Sequence, residues 1–134
     1  AVGSTRENRV FEIWSEDSGR TWGELTLTAL PNPSAGTDAL KQAYDNNSIQ
    51  YNHTAKGRSP LNVAVSSDGV AWHAALKLED SPGKEFSYPA VIQTSDGLVH
   101  ITYTWQRKRI KHVVIDPQDL RTAPIIDGQW PVPQ

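Results

Sequence analysis

Cysteine and methionine are both absent from the 134-residue chain. Without cysteine there is no disulfide, no thiol nucleophile and no thiolate-bound metal. An excess of one charge is missing too: 13 Lys and Arg stand against 15 Asp and Glu, a net charge of −2. A general nucleic-acid binder carries a basic surplus, so no nucleic-acid partner is expected. No apolar run approaches the roughly 20 residues that span a bilayer, and no membrane partner is expected either. No signal peptide is recognisable, although the chain starts at Ala1 and not at Met. A helical period is never sustained over a full window; at most Ala39 to Tyr44 passes for one helical turn. A chain of this length with 37% hydrophobic residues makes a single modest domain.

What is present is aromatic and turn-forming: five Trp, nine Gly and nine Pro. Apolar residues alternate with a period of two and stop at turn residues, the pattern of short half-buried strands. Val10 to Trp14 runs into Ser15-Glu16-Asp17-Ser18-Gly19, and Leu61 to Val65 ends at Ser66-Ser67-Asp68-Gly69. Ala90 to Gln93 enters Thr94-Ser95-Asp96-Gly97 and Leu98 to Tyr103 leaves it. An Asp-Gly turn between two β-rich runs is a strong hairpin signal. Ile110 to Ile115 adds a further strand, stopped by Asp116-Pro117. The chain reads as all-β.

Two of the turns repeat. Residues 15–22 fit Ser-x-Asp-x-Gly-x-Thr-Trp at every defined position (Ser15, Asp17, Gly19, Thr21, Trp22), and Ser66, Asp68, Gly69 and Trp72 form a shorter copy that lacks the Thr. Roughly 50 residues separate Asp17 from Asp68, the length of one four-stranded propeller blade. The box is a folding device. Its Asp accepts bonds from the backbone of its own turn, its Gly permits positive φ, and its Trp packs between sheets.

With these residues the chain resembles the sialidase superfamily, whose Asp boxes sit on six- or seven-bladed β-propellers. Tyr51 to Thr54, Arg58 to Ser66, Tyr88 to Trp105 and Arg109 to Val113 extend the likeness to its predicted-neuraminidase branch. The resemblance covers roughly residues 10–120 and implies a β-propeller of four-stranded antiparallel blades, of which this chain holds about two and a half to three. The expected division is 1–33 as the end of one blade, 34–80 as the second and 81–134 as the third. Residues 43–50 depart from the pattern, having few apolar side chains for a sheet interior. So few blades would leave open edges and an apolar flank, to be covered by further blades of a longer enzyme or by self-association. Residues 123–134, with three Pro and Trp130, read as an extra strand or a strap.

The resemblance implies a sialidase-like glycoside hydrolase acting on a terminal anionic sugar of a glycan, with a secreted or periplasmic location. A polysaccharide lyase or rhamnosidase-type propeller acting on uronate-containing glycans is one alternative. A non-catalytic sugar-binding module or an inactive fragment is the other. In propeller topology the Asp boxes and Thr94 to Gly97 share one face, and the loops Pro31–Asp38, Asn52–Pro60, Asp80–Pro89 and Trp105–Arg109 share the opposite one, which the resemblance implies is the catalytic face.

On that face Arg58, Arg107 and Arg109 offer planar forks for a carboxylate, or are ordinary solvated cations. Asp38 is a candidate general acid or base, or a turn cap. His53 is a candidate proton acceptor, or a hydrogen-bonded structural histidine. Tyr88 is the catalytic tyrosine candidate, and Tyr51 and Asn52 are candidates for sugar hydroxyls, with packing as the alternative for both tyrosines. His100 and His112 read as sheet residues. No histidine pair has metal-ligand spacing with a carboxylate, so neither a metal nor another cofactor is expected.

Overall fold

A computed structural model of the chain describes residues 1–43 and 46–132. Among the described residues ten strands build three antiparallel sheets in chain order, and an eleventh from the tail joins the second sheet. The first holds β1 (Val2–Ser4), β2 (Arg9–Glu12) and β3 (Thr26–Pro31). The second holds β4 (Asp38–Lys41), β5 (Asn47–Tyr51), β6 (Leu61–Ser66) and β7 (His73–Glu79). The third holds β8 (Phe86–Gln93), β9 (Val99–Trp105) and β10 (Arg109–Ile115). Strand β4 contacts both β1 and β8, so these three edge strands form one inner side from which the sheets spread. The expected strands at 61–65, 90–93 and 110–115 fall within observed ones; that at 98–103 starts one residue before β9, and that at 10–14 runs two residues past β2.

Alternation decides which side chains fill the two gaps between sheets. Val10 and Leu30 of the first sheet meet Ile49, Tyr51, Ala64 and Trp72 of the second. Leu61 and Val63 point the other way and meet Phe86, Val91, Val99, Ile101 and Tyr103 of the third. Each fully buried side chain of this size contributes about 1.5–3 kcal/mol. The polar stretch around residues 43–50 still makes a regular strand: β5 pairs along its length with both β4 and β6. Its odd residues face the first sheet, while Ser48 and Gln50 are buried towards the third. Tyr44 and Asp45 lie outside the described residues, so the single helical turn considered for 39–44 is tested only up to Ala43; Asp38–Lys41 is strand.

Both Asp boxes close the turns they were expected to close. Asp17 Oδ1 accepts from the amides of Arg20 (3.0 Å) and Thr21 (2.7 Å) and from the Ser15 hydroxyl (2.9 Å), and Oδ2 accepts from the Thr21 hydroxyl (2.6 Å). Asp68 repeats this with the amides of Val70 and Ala71, both at 2.8 Å, and the Ser66 hydroxyl at 2.9 Å. The two tryptophans differ. Trp72 is 8% exposed and belongs to the core, whereas Trp22 is 51% exposed. Gly69, at φ +77, lies so close to Trp14 that a Cβ there would come within 2.7 Å of the indole.

The tail does not continue the third sheet, in contrast to the third blade expected over 81–134. Asp116 caps a short 3-10 turn (Pro117–Asp119), and proline, having no N–H, cannot extend the ladder. The chain then crosses to the second sheet, where β11 (Ala123–Pro124) pairs with the open edge of β7 at Ala74 and His73. Ile125 donates to Trp72 O at 2.9 Å and packs on the core between the first two sheets. Residues 117–130 thus form a strap. Apolar side chains remain open on the outer faces: Leu25 and Leu27 at the first sheet, Ile92, Ile110 and Val114 at the third.

Candidate functional site

The strand order sends the connections after β1, β3, β5, β7 and β9 to one end of the sheets, opposite the Asp boxes. This loop end is held by bonds between segments distant in sequence. The Phe86 amide donates to Arg58 O (2.9 Å) and the Gln106 amide to Glu85 O (2.7 Å). Asn52, fully buried, donates through Nδ2 to the carbonyls of Pro60 (2.9 Å) and Phe86 (3.0 Å). A cis Ser59-Pro60 bond lies in the same loop.

Arg58 and Tyr88 meet at the top of this framework. The guanidinium carbon of Arg58 lies 5.3 Å from the centre of the Tyr88 ring, a cation–π contact. Tyr88 rests on Gly36, where a Cβ would come within 3.3 Å of its ring, and the residue stays 66% exposed. Its φ of +52 is left-handed, a conformation costing a bulky residue roughly 1–2 kcal/mol. It sits where the β8–β9 register shifts, between Ser87 and Ala90. The bulge re-aims the side chain out of the sheet. Six of the seven described non-glycine residues with positive φ lie at the loop end or beside it: Asn8, Ser34, Tyr88, Gln106, Arg107 and Asp127.

The other two arginines stand next to this pair but are partnered. Arg107 is 73% exposed and grips Glu85 with two nitrogens, at 2.6 and 3.1 Å. Arg109 stacks its guanidinium 4.4 Å from the Trp105 ring centre. Around them the loops carry Lys56, Lys84 and Lys108 against Asp80 and Glu85, so this region is cationic on a chain of net charge −2.

Asp38, His53, Tyr51 and Asn52 stand differently. Asp38 Oδ1 accepts from the Ala39 amide and Oδ2 from the Val91 amide, at 2.9 and 2.8 Å, which joins β4 to β8. His53 has both ring nitrogens engaged. The Gly128 carbonyl can only accept, so Nε2 carries the proton and donates to it (2.9 Å); Nδ1 then accepts from the Tyr51 hydroxyl (2.5 Å). Burial first of all pushes the His53 imidazole below its ordinary value, and the nearby Lys77 charge adds to this, against the Gly128 bond. Burial also raises the Tyr51 phenol. Tyr51 and Asn52 are both fully buried, so their polar groups serve the protein interior.

Sequence reasoning missed Gly36, Glu85 and Trp105, whose roles depend on contacts across sheets. It left the strap unplaced, although Asp127-Gly128 is itself a turn signal. Three side-by-side antiparallel sheets, with Asp boxes at one end and long loops at the other, define an all-β propeller built from bacterial-neuraminidase-type repeats. The chain belongs to the BNR repeat-like domain family, whose model matches residues 2–101, and so to the sialidase and BNR-repeat superfamily. Comparison with curated proteins and with solved structures found no match.

Proposed function

We propose that the loop end binds the terminal anionic sugar of a glycan, as the binding face of a sialidase-like glycoside hydrolase. Arg58 would hold the sugar carboxylate, and the Tyr88 ring and hydroxyl would lie against the sugar. One observation carries this reading: an exposed tyrosine is held in a strained conformation beside an arginine that no acidic side chain neutralises among the described contacts. Strain of this kind is held in place where function uses it. The guanidinium is the fork that matches a carboxylate. Arg107 and Arg109 add positive potential at the rim, and Asp38, two residues from Gly36, is the candidate acid or base.

A second reading, a non-catalytic sugar-binding module, is favoured by the engaged state of Asp38 and His53. Direct binding of N-acetylneuraminic acid and of galacturonic acid, followed calorimetrically, tests the first element common to both. Arg58→Ala is expected to weaken binding at least about tenfold, the loss of one charge-assisted bond, with the fold intact by circular dichroism. Unchanged affinity would remove Arg58 from the site. Turnover of a fluorogenic sialoside supports the hydrolase. Ultraviolet absorbance from an unsaturated uronate product would point to a lyase instead, and binding with neither signal to the module.

A further inference from the structure

A cleft opens at the same end of the molecule, away from Arg58 and Tyr88. It has a volume of about 560 Å³ and lies between the strap and the loop ends of the first two sheets, within the roughly 300–1,000 Å³ of small-ligand sites. Its wall is built by the strap. Asp127 and Gly128 take φ values of +50 and +70, and the Gln129 amide donates to Ile126 O at 2.9 Å. This tight turn has the backbone of a type I′ hairpin. Gly128 is seated so closely on β3 that a Cβ would come within 2.5 Å of Ala29 O, and its carbonyl is fixed by His53. Trp130 then packs edge-on against the His53 ring, 5.1 Å between centres and 67° between planes. A wall fixed in this way is formed before any ligand arrives.

We propose that this cleft is a second sugar subsite, one that takes a neutral hexose unit. The T-shaped contact with His53 covers at most one face of the Trp130 indole, and the residue is only half-buried. An indole face of that kind suits the C–H face of a pyranose. Asn8, Arg9 and Gln129 line the same cleft and supply the planar donors and acceptors that ring hydroxyls need. Charge separates this subsite from the first. Glu7 and Asp127 line it against Arg9 alone, and the His53 imidazole is held neutral by burial. An anionic sugar is therefore disfavoured here, in contrast to the cationic surroundings of Arg58. His53 and Arg58 lie on the same loop, and the proposed glycan runs from one to the other. Only that order, the anionic end at Arg58 and a neutral unit at Trp130, rests on the function proposed above.

The test is calorimetric titration of the whole chain with maltotriose, cellotriose and N-acetylneuraminic acid, using wild type, Trp130→Ala, Gln129→Ala and Arg58→Ala. Wild type is expected to bind at least one neutral trisaccharide. Trp130→Ala should weaken that binding by about tenfold or more, as loss of an aromatic platform does, and Gln129→Ala by several-fold. Neither should alter the affinity for N-acetylneuraminic acid. Arg58→Ala should do the reverse. Gln129 is exposed and lies outside the core, so that variant decides the matter if Trp130→Ala fails to fold. The subsite is overturned if neither neutral trisaccharide binds, or if binding is indifferent to both cleft variants. If the neutral sugar binds through Trp130 while N-acetylneuraminic acid does not bind, the subsite stands and the anionic-sugar reading falls.

Discussion

The two ends of the sheets are organised by different kinds of bond. At the turn end each carboxylate is satisfied within its own turn: Asp17 by residues two to four positions away, Asp68 and Asp96 by residues two or three away. At the loop end the partners are far apart in sequence: Asn52 with Phe86, Asp38 with Val91, His53 with Gly128 and Arg107 with Glu85. Local bonding ties the carboxylates of the turn end to the backbone and hydroxyls of their own turns. Long-range bonding at the other end fixes a framework on which Tyr88 stays exposed beside a half-buried Arg58. Closed turns and an open scaffold are what separate the folding device at one end from the proposed binding face at the other.

The largest effect should come where a local motif acquires a tertiary task. Trp72 and Trp22 occupy the same box position, yet only Trp72 enters the core. Trp72→Ala should cost about 3–5 kcal/mol in chemical denaturation, and Trp22→Ala about 0.5 kcal/mol or less. Equal losses would mean that the box itself, and not the neighbouring sheet, sets the value of its Trp.

Next comes the strap. Gly128→Ala combines a left-handed φ with a clash on Ala29 O, and should cost roughly 1–2 kcal/mol. It should also release His53, whose imidazole titrates below its ordinary 6.5 because of burial. A folded value below the unfolded one means that the stability tied to neutral His53 is complete above about pH 6.5. It is lost as pH falls through the folded value. Proton NMR of the His53 ring should therefore move up towards 6.5 in the variant, and no change would show that the strap does not cover it.

The smallest effect belongs to the turn end. The Thr21 hydroxyl and amide, with help from Ser15 and Arg20, hold the Asp17 carboxyl at about 2 against an ordinary 3.8. Its contribution is present above about pH 4 and disappears as pH falls towards 2. Asp17→Asn should flatten that part of the acid-denaturation profile. A profile identical to wild type would remove Asp17 from the acid transition.

The same contrast explains what could be read in advance. The Asp boxes, the Thr94–Gly97 hairpin and the strands beside them were legible because a turn carries its own bonding partners within a few residues. The loop-end residues could be sorted to one face by the propeller topology that the resemblance implies. Their individual states could not, because these depend on partners dozens of positions away. His53 shows this best: its neighbours in sequence say nothing of Gly128, which occupies Nε2. The polar strand β5 was hard to read for a similar reason, since Ser48 and Gln50 are buried only because the third sheet covers them.

The most direct measurement is an amide chemical-shift map of the whole chain, isotopically labelled and titrated with N-acetylneuraminic acid and, separately, galacturonic acid. Perturbations are expected at Gly36, at Gly57 to Ser59, at Glu85 to Tyr88 and at Arg107. The turns at 15–22, 66–72 and 94–97 should stay unmoved. Shifts centred on those turns, or no shifts with either sugar, would contradict the assignment of the loop end as the binding face.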